Sequence, residues 1–168
     1  MLEIEHSPEY CTDQVEGLYT TVLKRQADPV GLQYFVAAME AGQSFENIEA
    51  AMLGSSEYYA LAGATSDGFL SALYQTVLNR QVDPVGQAAF TSILDRGFSR
   101  SVVAFFVVHS IEARQDQVES FYLEFLGREA DPTGLAAFTA PRPGGYPNDL
   151  ILATRLASAE YFEDAQAL

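Results

Sequence analysis

Tryptophan is absent from the 168 residues, cysteine occurs once, histidine twice, and lysine plus arginine only nine times against 23 aspartates and glutamates. Each scarcity removes a class of function. A lone Cys11 cannot close an internal disulfide, so no oxidised framework holds the fold. No cation stands near Cys11 in the sequence to activate its thiol, which argues against a nucleophilic role. A formal charge of −14 repels phosphate backbones and anionic headgroups, so nucleic acid and membrane surfaces are poor partners. Apolar runs are short: even Val102 to Val108 is about a third of the length that spans a bilayer, so no membrane insertion is expected. The opening residues carry Glu3, Glu5 and Glu9 without a basic or an apolar stretch and do not read as a secretory signal. The chain is expected to be soluble.

Catalytic groups are equally sparse. His6 and His109 are far apart in sequence, and His109 beside Ser110 does not face it, because adjacent residues on a helix diverge. His109 reads as a partly buried polar residue. There is no zinc-binding His-x-x-x-His, no Walker loop, no dinucleotide-binding glycine turn and no nucleophile elbow. Catalytic residues are therefore none, and the chain is not expected to be an enzyme.

What the sequence does contain is repetition. The skeleton Tyr19, Leu23, Arg25, Asp28, Pro29, Gly31, Phe35, Gly42, Ser55, Glu57 recurs 55 residues later as Tyr74, Leu78, Arg80, Asp83, Pro84, Gly86, Phe90, Gly97, Ser110, Glu112. It recurs after 48 more as Tyr122, Leu126, Arg128, Asp131, Pro132, Gly134, Phe138, Gly145, Ser158, Glu160. A period of this size marks a repeat architecture. The expectation is an all-α fold: an irregular lead-in over residues 1–12, then a single helical domain over 13–168. Three tandem three-helix repeats, 13–59, 67–114 and 115–162, would build it, the third degraded.

Within each copy the helices follow from local chemistry. Val15, Leu18, Tyr19, Val22 and Leu23 fall on one helical face, as do Leu70, Leu73, Tyr74, Val77 and Leu78, and Val118, Phe121, Tyr122, Phe125 and Leu126; such faces must dock. Asp-Pro-x-Gly then opens a second helix, with the carboxylate capping orphan amides and proline at the first turn. Gly42 and Gly97 stop it in a left-handed turn. Gly31, Gly86 and Gly134 inside these helices predict close approach of another helix. Ser44 and Ser99 cap a third helix; its second copy, Val102 to Val108, is apolar nearly all round and is expected to be buried at the centre of the array. Ser-x-Glu closes each copy, and Tyr58 to Asp67 reads as a linker. Ser110 is expected to open one continuous helix running to Leu126. Pro141 to Gly145 is expected to be a loop, with the last helix starting near Pro147 to Asp149.

The repeated charges have two readings. Arg25, Arg80 and Arg128 against Glu57, Glu112 and Glu160 are either an anion clamp or ties between hairpins, and identical triplication favours ties. Asp28, Asp83 and Asp131 offer one carboxylate per loop, too few for calcium, so capping is preferred and no metal site is assigned; calcium remains the one cofactor worth testing. Tyr58, Tyr59, Tyr146 and Tyr161 lie near helix ends and are the candidate binding residues, able to stack on sugars or fill a partner's pocket, against the alternative that they cover the core edge.

The stretch LYTTVLKRQADPVGLQYFVAAMEAGQSFENIEAAMLGSSEYY resembles the bacterial domain-of-unknown-function family 4214. Its copies read roughly Tyr-x-x-x-Leu-Gly-Arg-x-x-Asp-x-x-Gly, then an aromatic-bearing helix, Gly, and Phe-x-x-Ser-x-Glu-Tyr. The resemblance covers about Val15 to Phe162. It implies an all-helical module, often found in large secreted bacterial proteins with calcium-repeat (RTX), adhesin-like or S-layer-like regions, and it is more distantly similar to the phycobilisome linker domain. Lys24 and Asn79 stand where the family has Gly, which only Gly127 retains; Phe35, Phe90 and Phe138 stand where it commonly has Trp, and Ala113 replaces the closing aromatic. The family supplies no catalytic residues. The functional expectation is a non-enzymatic interaction module of a secreted or cell-surface bacterial protein, contacting protein or surface glycan. Its alternatives are a calcium- or carbohydrate-binding module and a cytoplasmic scaffold similar to a phycobilisome linker.

Overall fold

The computed structural model describes residues 7–139. Among the described residues every regular element is an α-helix. The chain divides into two compact units, Met1–Ser110 and Ile111–Leu168, where the sequence predicts a single domain.

The first unit contains α1 (Pro8–Val22), α2 (Pro29–Glu40), α3 (Phe45–Leu53), α4 (Ser56–Leu61), α5 (Ser66–Leu78), α6 (Pro84–Asp95) and α7 (Arg100–Val108). Each of the seven opens on a side-chain cap. Ser7 accepts from the Tyr10 amide at 3.2 Å, Asp28 from Gly31 at 2.9 Å, Ser44 from Asn47 at 3.3 Å and Ser55 from Tyr58 at 3.1 Å. Thr65 accepts from Gly68 at 3.0 Å, Asp83 from Gly86 at 2.9 Å and Ser99 from Val102 at 3.3 Å. Such caps satisfy amides that the helix itself leaves unpaired. Gly42 at φ 91 and Gly97 at φ 87 terminate α2 and α6, as expected.

Two local expectations are corrected. The lead-in does not run to Thr12, because Ser7-Pro8 is itself a cap followed by proline at the first helical turn, and α1 starts there. Cys11 is consequently a fully buried core residue, not part of a loose segment. The Ser55-Ser56-Glu57 element does not close the first copy; it opens α4, and the expected linker from Tyr58 to Asp67 holds most of that helix and the start of α5.

The core is made by the predicted faces. Val15, Leu18, Tyr19, Val22 and Leu23 of α1 and its end are all buried, as are Leu70, Leu73, Tyr74 and Leu78 of α5. Each large aliphatic side chain so removed from water contributes roughly 1.5–3 kcal/mol. α1 packs on α2 and α3, and α5 packs on α6 and α7. Between them α3 lies against α7, with Ile48, Met52, Leu53, Val103, Val107 and Val108 buried. A Cβ at Gly54 would meet the Ser101 backbone, 2.5 Å from its nitrogen, so the chain segments here approach as only a glycine permits.

α7 is not buried on all sides. Val103, Ala104, Val107 and Val108 face inward, while Phe105 and Phe106 are 44% and 55% exposed. A nine-residue helix presents one stripe to its neighbours, and composition alone does not say which residues of an all-apolar segment fall outside it.

The second unit contains α8 (Ile111–Leu126) and α9 (Pro132–Thr139), which pack on one another. α8 is continuous and follows Ser110 directly, as predicted. Val118 and Tyr122 are buried, and the Ala130 amide donates to the Glu119 carboxylate at 3.1 Å. α9 opens at Pro132 directly after Asp131 and contains Gly134. The predicted loop from Pro141 to Gly145, the predicted final helix, Tyr146, Glu160 and Tyr161 lie outside the described residues.

Candidate functional site

The repeated charges build corners. Past the end of α1, the Arg25 guanidinium donates from Nε to Glu57 Oε1 at 2.5 Å and from Nη2 to Glu57 Oε2 at 2.9 Å. It also reaches Asp28 Oδ2 at 3.3 Å. One planar fork therefore links the α1 end, the α2 cap and the first turn of α4. The guanidinium lies 4.8 Å over the Tyr19 ring, and Tyr19 meets Phe35 edge-on at 6.3 Å. Hydrogen bonding by Arg25 holds the Glu57 carboxyl below its usual range. The Gly31 amide first, and Arg25 after it, do the same for Asp28.

The second copy repeats the corner. Arg80 lies 5.0 Å over Tyr74 and 3.4 Å from Asp83, and Tyr74 meets Phe90 at 6.3 Å. In the second unit Arg128 lies 5.2 Å over Tyr122 and 3.8 Å from Asp131. Glu112 is the second residue of α8. The predicted close approach at Gly31 and Gly86 comes from the corner tyrosines: a Cβ on Gly86 would sit 2.6 Å from Tyr74 Oη, and one on Gly31 would collide with Tyr19 Oη. The motif carboxylates Asp28 and Asp83 are engaged by amides and arginine, and among the described residues no group of three or more His, Cys, Asp or Glu is placed to hold a metal ion.

The position before each motif arginine has a backbone reason. Lys24, Asn79 and Gly127 have φ of 57, 47 and 62, the left-handed region that glycine enters freely and other residues enter at a cost.

The tyrosine candidates separate. Tyr58 is 4% exposed, shares a hydrogen bond with the Thr76 hydroxyl at 2.9 Å and meets Phe69 edge-on at 6.3 Å. It is a core residue, because its ring, pointed inward from α4, covers the start of α5. Burial raises its phenol above the usual range. Tyr59 is half-buried, and the Arg100 guanidinium lies 4.3 Å over its ring. His109 caps α7; its Nδ1 is 2.9 Å from the Phe105 carbonyl, and its ring stacks on Phe105 at 4.0 Å.

Two hollows open on the first unit. One, of about 590 Å³, lies where the end of α1 meets α4 and α5, with Lys24, Tyr58, Leu61, Gln75 and Thr76 around it. The other, of about 280 Å³, is lined by Gly54, Tyr59, Ser66, Leu94, Phe98, Ser99 and Arg100. Arg100 is the residue that the sequence reading passed over, although a signal existed: the first copy has Phe45 at the corresponding place. Its Nε is buried without a hydrogen-bond partner, and Nη2 has only Ser56 Oγ at 3.5 Å. Glu49, half-buried on α3, was missed as well; burial, with the like charge of Glu46, lifts its carboxyl to about 7.

No curated protein and no solved structure matches the chain. A family model described as Domain of unknown function (DUF4214) matches residues 9–62 and 50–117, well over half of the sequence and the stretches that carry the first two corners. The chain belongs to the DUF4214 family.

Proposed function

We propose that this chain is a non-catalytic helical interaction module of a secreted or cell-surface bacterial protein, acting through protein or glycan contacts. The observation that carries the reading is the aromatic cluster on the outer side of α7. Phe105 and Phe106 are about half exposed, touch edge-on at 6.2 Å, and His109 stacks on Phe105. Exposed aromatic groupings of this kind are typical of recognition surfaces. Arg25, Asp28, Glu57, Arg80 and Asp83 are engaged with one another or with helix-start amides, which favours recognition at positions where the copies differ. The test is binding of the purified chain to intact cells of the producing bacterium. F105S/F106S, with an unchanged melting curve, should lose that binding. Absence of binding by the unaltered chain, or saturable turnover of a small substrate by it, would overturn the proposal, and undiminished binding by this variant would remove the aromatic cluster as its contact.

A further inference from the structure

The hollow beside Arg100 has the composition of a receptor for one particular chemical group. The corner arginines meet carboxylates, Arg25 with two, Arg80 with Asp83 and Arg128 with Asp131. Arg100 has none. Its guanidinium is held flat by Tyr59 at 4.3 Å, Nε is buried and unpaired, and the long contact from Nη2 to Ser56 Oγ at 3.5 Å is the hydrogen bond that remains to it. A guanidinium immobilised on an aromatic face, with Nε unpaired and Nη2 held only by a long contact, is pre-organised for a planar anion, and fork-to-fork pairing favours carboxylate. A buried donor left unpaired is costly, so an acceptor arriving there gains more than one meeting a solvated arginine.

The walls narrow the class. Leu94 and Phe98 are apolar, whereas Ser66 and Ser99 place hydroxyls at the mouths of α5 and α7. At about 280 Å³ the space lies below the range that holds drug-sized ligands and fits a single residue. The net charge of −14 disfavours a polyanionic glycan but tolerates one isolated negative charge. One occupant brings a carboxylate and an apolar side chain on the same small residue: the C-terminal residue of a polypeptide. We infer that the Tyr59–Arg100 hollow captures the free C-terminal carboxylate of a protein partner whose last side chain is apolar, the side chain seated against Leu94 and Phe98. This rests on the reading of the chain as an interaction module and names the chemistry of one of its contacts.

The test uses the full chain with N-acetyl-leucine and N-acetyl-phenylalanine, their C-terminal amides, and glucuronate as the acidic-sugar arm, read by chemical-shift titration. The free acids should bind saturably, and the amides about tenfold more weakly or worse, the value of one charge-assisted pair. Arg100→Met, which keeps the stem over Tyr59, should abolish the difference between acid and amide. Because that comparison is also made on the unaltered protein, a misfolded variant does not protect the idea. Equal binding of acid and amide, no saturable binding of either acid at millimolar concentration, or preference for glucuronate over both acids would overturn it. Cell-surface binding that survives Arg100→Met but is lost in F105S/F106S would remove the pocket as the contact and leave the interaction module standing. Absence of cell-surface binding by the unaltered chain would remove the module instead.

Discussion

Glu49 offers the sharpest test of the energetics. It sits half-buried on α3, on the helix that packs against α7, and in the folded chain its carboxyl is lifted from 4.5 to about 7 by burial and by Glu46. The Tyr58 phenol also feels its charge. A pKa raised on folding means that the fold prefers the neutral acid. The stability so contributed is fully present below about pH 4.5 and is lost as the pH climbs through about 7. The whole shift would be worth about 3 kcal/mol at 1.36 kcal/mol per unit. Partial access of the carboxylate to water reduces this to about 1–2 kcal/mol. Glu49→Gln keeps the shape and removes the charge. It should match the unaltered protein at pH 4.5 and exceed it by about 1–2 kcal/mol at pH 8. Urea unfolding followed by circular dichroism suits a chain without tryptophan, and the midpoint at unchanged slope gives the difference. Ala104, fully buried on α7, stands 55 residues on from Glu49 and shows that an uncharged residue is accommodated at the corresponding position. A Glu49→Gln stability difference that does not vary with pH, or one that turns unfavourable at pH 8, would refute the burial argument.

Two further substitutions test the corner and its backbone. Gly31→Ala gains about 1 kcal/mol of helix propensity, yet its methyl meets Tyr19, whose ring is 3% exposed and pinned by Arg25 and Phe35. Melting should show a net loss of about 1–3 kcal/mol, largely recovered when Tyr19→Phe removes the colliding hydroxyl; a Gly31→Ala protein as stable as the original would contradict the contact. Lys24→Gly should gain about 0.5 kcal/mol by relieving the left-handed backbone, after the entropy of glycine is subtracted. Lys24→Val should lose about 1 kcal/mol or more, because β-branching penalises that backbone region, and a reversed order of the two melting temperatures would show that the position is not constrained.

Local rules made most of the helices readable. Asp28, Ser44, Asp83 and Ser99 mark helix starts because a cap needs only the next three residues, and Gly42 and Gly97 mark stops for the same reason. The errors arose where a local signal had two meanings. Pro8 reads as a breaker or as a first-turn residue, and Ser55 as an ending or as a cap; only the neighbouring backbone decides. Exposure was harder. Nothing in a run of seven apolar residues from Val102 to Val108 says that Phe105 and Phe106 point outward, since that depends on where α3 and α5 lie. Tyr58 and Tyr59 are adjacent and chemically identical, yet one is core and the other holds Arg100, a difference set by the inward face of α4. The hollow itself joins residues from Gly54 to Arg100, a juxtaposition that no sequence window contains. Its one trace was the departure of Arg100 from Phe45 between copies.

The packing of α3 on α7 carries a consequence for any chain that holds a single copy. The two helices occupy the same place in successive copies, and Ile48, Met52 and Leu53 bury the same stripe as Val103, Val107 and Val108. A surface that meets its own counterpart is how twofold homodimers are built. The first unit thus holds inside one chain a contact between equivalent helices that a twofold dimer makes between two chains. A polypeptide carrying a single copy would leave that stripe bare and should find its missing half in a second molecule of itself.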